Sequence, residues 1–124
     1  MGTTKHRTQI SLEDLQYQAL LEILEIAKRY ADELKKAGIK PQRIILYGSY
    51  AKGLPREESD IDFIVISEDF KNMNFRERLE LLGIAAGRVF EPIEAIGYTS
   101  EEFEKNKKES FLEEIAIYAS DMIF

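Results

Sequence analysis

"LYGSYAKGLPREESDIDFIVIS", residues 46–67, decides the fold. It joins the end of one apolar run, residues 43–47 (RIILY), to a second, residues 60–66 (DIDFIVI). Both runs are rich in β-branched and aromatic side chains, so each reads as a strand. Gly48 closes the first strand. Residues 49–53 read as a tight turn or a single helical turn, and residues 54–59 (LPREES) as a polar loop. The anomaly is the pair of aspartates in the second strand. Side chains alternate along a strand, so Asp60, Asp62, Ile64 and Ile66 share one face, and Ile61, Phe63 and Val65 share the other.

Outward from this stretch the pattern is helical on both sides. Ser11 followed by Asp14 is a capping-box pattern. Leu12, Leu15, Ala19, Leu20, Ile23, Leu24, Ala27, Tyr30, Ala31 and Leu34 then recur at three- and four-residue spacing, giving one broad apolar face. Lys35 and Lys36 suit the negative end of the helix dipole, and Gly38 is the stop. After the second strand, residues 74–90 carry Phe75, Leu79, Leu82, Ile84, Ala85, Ala86 and Val89 at helical spacing. Residues 92–98 (PIEAIGY) read as a third strand, and Ser100 with Glu101 and Glu102 opens another helix. A final helix is expected from about 109 to 120, in a closing segment, 111–124, that reads as apolar helix throughout. Core packing and a partner interface both account for that segment's apolar end, Met122, Ile123 and Phe124. The predicted class is α/β (α+β): a small mixed β-sheet flanked by helices.

Residues 1–10 read as a flexible polar tail, in which His6 is solvated, and residues 11–124 as a single domain. No apolar run reaches the length of a membrane span and no signal peptide is recognisable, so a cytoplasmic protein is expected. The chain has no cysteine, which excludes disulfides, thiolate metal sites and a cysteine nucleophile. Its 17 basic and 23 acidic residues leave a net charge of −6, which disfavours stable nucleic-acid binding.

The two aspartates stand about 6.6 Å apart along one strand face. Neighbouring carboxylates raise each other's proton affinity unless a positive charge lies between them. A divalent cation resolves this, and oxygen ligands of this kind suit magnesium, which binds through one or two carboxylates and substrate phosphates. Two such ions would clamp the attacking and leaving oxygens of a phosphoryl displacement. Gly48 and Ser49 supply the complementary half: a glycine lets backbone approach a phosphate, and a following helical turn offers free N–H groups. Lys52, one turn on, adds a positive charge. Two rival motifs fail. A P-loop needs Lys and Ser/Thr after its second glycine, where Leu54 and Pro55 follow Gly53. A calcium loop needs alternating polar ligands, where Phe63, Ile64 and Val65 follow Asp62. Neither the Gly turn nor a lone D-x-D is diagnostic, but the two together, ten residues apart, are specific.

The pattern G-S-(ten residues)-D-x-D, Gly48-Ser49 through Asp60-Ile61-Asp62, resembles the nucleotidyltransferase superfamily related to DNA polymerase beta. The wording "GSYAKG…SDIDFIV" and the short chain are similar to its minimal members, the MNT domains. The resemblance implies a third acidic residue on a neighbouring strand. Glu94, which interrupts the apolar run of residues 92–96, is the candidate, for catalysis and as a metal ligand with Asp60 and Asp62. Glu91 is the runner-up, although alternation puts it on the opposite face. Many relatives carry aspartate at this third position.

The implied reaction is magnesium-dependent transfer of a nucleoside monophosphate, AMP from ATP, to a hydroxyl. Gly48, Ser49 and Lys52 would hold the phosphates, with two magnesium ions on the carboxylates. Tyr50 would either line the nucleotide pocket or pack. Minimal domains of this kind are typically paired with a small helical HEPN toxin, which the MNT partner neutralises as antitoxin, in some systems by attaching AMP to a tyrosine. A hetero-oligomer is therefore expected. Two alternatives stay open: a non-catalytic antitoxin that masks its partner by binding, and a transferase acting on a small molecule such as an aminoglycoside.

Overall fold

The computed structural model describes residues 11–47, 60–106 and 120–123. Helix α1, Leu12–Lys36, starts where the Ser11 hydroxyl accepts the Asp14 N–H at 3.1 Å. It stops at Gly38, whose φ of +92° is the left-handed conformation that favours glycine. There the Ile39 N–H returns to the Leu34 carbonyl at 2.9 Å and the Gly38 N–H to that of Lys35 at 3.0 Å. These paired bonds satisfy the helix's last carbonyls, and the burial of both Ile39 and Leu34 closes the turn against the core.

Strand β1, Arg43–Tyr47, pairs antiparallel with β2, Ile61–Ile66. A one-turn 3-10 helix, Glu68–Phe70, and helix α2, Phe75–Val89, then carry the chain across to β3, Ile93–Tyr98, which lies parallel to β2. Helix α2 opens with a reciprocal cap, in which the Asn74 side chain accepts the Glu77 N–H and the Glu77 carboxylate accepts the Asn74 N–H. A short helix α3, Ser100–Asn106, follows. Strand β4, Ser120–Ile123, pairs antiparallel with β1, so the sheet order is β3-β2-β1-β4.

The strand β4 corrects the expectation of a helix to the end of the chain. Without a fourth strand, the free edge of β1 would present unpaired N–H and C=O groups. Pairing Leu46 with Ser120 and Arg43 with Ile123 covers it. A short apolar run does not distinguish helix from strand by periodicity, and the pairing decides it here. The body of the expected last helix falls on residues 107–119, outside the described residues.

The two helices α1 and α2 cover one sheet face. Ile44, Leu46, Ile61, Phe63 and Val65 pack there against Ile23, Ala27, Tyr30, Leu34, Leu82, Ala85 and Val89. The Tyr30 ring stacks on Phe63 with centroids 5.9 Å apart, and its hydroxyl donates to the Leu82 carbonyl at 2.9 Å. The opposite face carries a second cluster of Ile45, Ile64, Ile66, Tyr98 and Phe103. Arg78, buried in α2, ties the layers together. It donates to the carbonyls of Phe70, Met73 and Gly97 and makes a forked ion pair with Glu102 at 2.6 and 3.1 Å. That pairing holds the Glu102 carboxyl below the usual carboxylate range.

Of the apolar face expected for α1, Ile23, Ala27, Tyr30, Ala31 and Leu34 are buried and Leu24 packs partly buried against them, whereas Leu20 is 41% exposed. Leu21, which lies off that face, is 48% exposed. The sheet is shorter than this 25-residue helix, so the N-terminal turns overhang it. In α2 the expected apolar residues likewise divide: Leu82, Ala85, Ala86 and Val89 are buried, and Phe75, Leu79 and Ile84 are exposed.

Candidate active site

The carboxylates gather where the N-terminal ends of β2 and β3 meet the C-terminal end of β1. The β1–β2 pairing sets Tyr47 opposite Asp62, and the β2–β3 pairing sets Asp62 opposite Glu94. Residues paired across a sheet share a face, so Tyr47, Asp62 and Glu94 form one row across three strands. The row lies on the face away from α1 and α2, continuous with Ile45, Ile64 and Ile96. Asp60 precedes β2 by one residue, and the next backbone N–H, that of Ile61, donates to the Pro92 carbonyl at 2.7 Å. That bond pins the start of β2 to the turn before β3.

Burial and neighbouring carboxylates set the local electrostatics. The Asp62 carboxyl is pushed up to about 6 by its partial burial, then by Glu94, then by Asp60. All three influences act in the same direction, since burial and like charges both disfavour the ionised form. Tyr47 feels the same field. Its hydroxyl is pushed up to about 12, first by burial and then by Asp62, Glu94 and Tyr98.

Asp62 and Glu94 thus stand side by side on one sheet face, with Asp60 near them at the entry to β2. Glu91 is not among them. It turns toward α1, where Arg29 Nη2 pairs with its carboxylate at 3.3 Å while Nη1 donates to the Val89 carbonyl at 3.2 Å. Gly48, Ser49, Lys52 and Tyr50 lie outside the described residues. The chain reaches Gly48 directly from Tyr47, the residue set against Asp62. Tyr47 is the neighbour of this row that the sequence reading missed. Continuing the alternation of β1 by one residue, and pairing it antiparallel with β2, was the signal that could have found it.

This donor set fits a divalent cation in part. Among the described residues, no three His, Cys, Asp or Glu side chains converge closely enough to hold a metal ion by themselves. Two neighbouring carboxylates with a third beside them suit a magnesium ion that keeps waters and shares substrate phosphates, rather than a closed all-protein cage. The raised pKa of Asp62 comes first from its burial and then from the Glu94 and Asp60 carboxylates beside it. Chemically, the row offers carboxylate oxygens to a cation and a proton acceptor to a hydroxyl, at the end of β1 where the chain enters Gly48-Ser49.

Comparison with known proteins gives the family and the fold. The nucleotidyltransferase domain family matches residues 25–121. Two proteins of Methanocaldococcus jannaschii, each named "Putative protein adenylyltransferase", are 42% identical over 65 residues and 33% identical over 67 residues. These matches cover 52% and 53% of this chain, and 64% and 66% of the relatives, so the chain spans less than two thirds of their length. The crystal structure of a "putative nucleotidyltransferase" from Sulfolobus solfataricus superimposes with a TM-score of 0.55 at 19% identity. It covers 79% of this chain and 83% of its own, a likeness of fold. Among the described residues, no helix is long and apolar enough to cross a membrane.

Proposed function

The chain belongs to the nucleotidyltransferase family, and on that premise we propose that it transfers a nucleoside monophosphate, AMP from ATP, to a hydroxyl on a partner protein. The observation that carries this reading is the register of β2 and β3, which sets Glu94 beside Asp62 with Asp60 at the strand's entry. Magnesium, bound by Asp60, Asp62 and Glu94, would supply the charge that neutralises the phosphates and the leaving pyrophosphate.

The chain's own residues then act as follows. Backbone N–H groups at Gly48 and Ser49, with the Ser49 hydroxyl and Lys52, hold the outer phosphates of the nucleotide. The acceptor oxygen attacks the α-phosphorus, the bond from that phosphorus to the bridging oxygen breaks, and pyrophosphate leaves. The acceptor's proton passes to a carboxylate oxygen, with Glu94 as the acceptor. Rate comes from positioning and from charge placed in advance, since phosphoryl transfer asks for little other covalent work from the protein. Glutamate is one methylene longer than the aspartate common among relatives, so its carboxylate reaches further across the face toward the acceptor.

The name carried by the M. jannaschii relatives supports a protein acceptor. The MNT resemblance supports a HEPN-type helical toxin as that acceptor, with the chain acting as antitoxin in a hetero-oligomer. The test is intact-mass spectrometry of the HEPN protein co-expressed with wild type and with an Asp60→Ala, Asp62→Ala double variant. A gain of one or more AMP masses with wild type alone is the expected result. An unmodified partner that co-purifies equally with both forms would replace this reading with masking by binding. Nucleotide transfer to an aminoglycoside by the isolated chain would replace it with small-molecule modification.

A further inference from the structure

Toward its N-terminal end α1 carries a stripe that, among the described residues, its own domain covers only at Leu24, which is partly buried against the core. Asp14, Tyr17, Leu21, Leu24 and Lys28 recur at alternating three- and four-residue steps, the spacing of a seam between two helices. This stripe lies about a third of a turn around the helix from the buried line of Ile23, Ala27, Tyr30 and Leu34. Tyr17 is 64% exposed and Leu21 48%, and the neighbouring Leu20 is 41% exposed. An apolar centre is thus flanked by one acid at the N-terminal end and one base at the C-terminal end. Among the described residues neither Asp14 nor Lys28 takes part in a salt bridge.

That charge order names its occupant. We propose that the stripe pairs with the same stripe of a second copy of this chain, antiparallel, about a twofold axis near Leu21. In a twofold interface each contact occurs twice, residue i on j and j on i. Asp14 of each copy then approaches Lys28 of the other, and Gln18 rather than an acid lies near Glu25. The two apolar centres, Tyr17, Leu20, Leu21 and Leu24, cover one another. A parallel pairing would set Asp14 on Asp14 and Lys28 on Lys28, with both helix dipoles aligned, and is disfavoured on both counts. Asp14 and Lys28 are about 21 Å apart along the helix. A contact of that length is small for a specific interface, so the dimer is weak, with a dissociation constant on the order of 10 μM. Helix α1 packs on the sheet face opposite the carboxylate row, so the dimer leaves both sites open. This inference is independent of the proposed reaction.

Sedimentation velocity of the full chain, from a few micromolar to a few hundred, tests it. Wild type is expected to pass from 14.3 kDa to twice that mass, and Leu21→Glu to stay monomeric with an unchanged melting temperature. Asp14→Lys and Lys28→Glu are each expected to weaken the dimer about three- to tenfold, and to restore it when combined. A wild-type chain that is monomeric throughout overturns the proposal. So does a dimer indifferent to Leu21→Glu, or a double charge swap no tighter than the single ones. A stripe that is monomeric alone but needed for capture of the helical partner assigns the face to that partner instead.

Discussion

The two faces of β2 put neighbouring residues to opposite uses. Ile61, Phe63 and Val65 face α1 and α2 and are wholly buried among aliphatic and aromatic side chains. Asp62, between them in sequence, faces the other way and is crowded by Glu94 and Asp60. The first face lowers the free energy of the fold by removing apolar area from water; the second does so at Ile64 and Ile66 but raises it at Asp62, where like charges are brought together. The lesson is that the site depends on the core beneath it. A strand holds repelling carboxylates in register only because its alternate residues anchor it.

The largest effect should come from the charged face and leave the apolar one untouched. Asp62→Asn is expected to lower nucleotide transfer at least about a thousandfold, with thermal stability equal to or above wild type, because a repelling charge is lost. Radiolabelled AMP incorporation and calorimetry on the same preparation check this, and a coupled fall in both would refute the separation. The converse is Phe63→Ala, which removes the ring that stacks on Tyr30. Urea denaturation should show a loss of about 3–5 kcal/mol.

A subtler break lies at Gly97, where an added Cβ would stand 2.8 Å from two ring atoms of Phe70. Gly97→Ala should cost about 1–3 kcal/mol by overpacking. Because the shift falls on β3, it should also reduce transfer more than an equally destabilising change in α1. The smallest effect is expected in pH dependence. Asp62 titrates at about 6 in the folded chain, above its ordinary value of 3.8. The folded state therefore holds a proton that the unfolded state releases earlier, and metal-free stability falls as pH rises from about 4 to 6. Magnesium should restore stability above pH 6, where the carboxylate is free to bind it. Thermal melts of wild type and Asp62→Asn, with and without magnesium, check the sign; a wild-type slope that persists in Asp62→Asn would assign it elsewhere.

Much of this was legible from residues alone, for local reasons. The strand 43–47, the helix cap at Ser11 and the stop at Gly38 are signalled by neighbouring residues, and the structure follows them. Glu94 was legible as a charge that interrupts an apolar strand. Its register with Asp62 was not, since it depends on how β3 docks after a long crossover. The strand β4 was misread as helix because its partner, β1, lies far back in the sequence. Leu20 of α1 was misread as core because periodicity reports that a helix has an apolar side, not what covers it. Arg78 gave no signal at all. An arginine in a helix reads as surface until three carbonyls and Glu102 converge on it.

The β2–β3 pairing carries one more consequence, in time rather than space. Antiparallel neighbours can close through a short connection, whereas a parallel pair always waits for its crossover to be made. Asp62 and Glu94 are separated by the 3-10 turn and all of α2, so they meet only when that helix has docked and β3 has slid in beside β2. Contacts so distant along the chain form late. A refolding or newly synthesised chain is therefore expected to gain helical signal first and magnesium affinity last, and no partly folded form should turn over nucleotide.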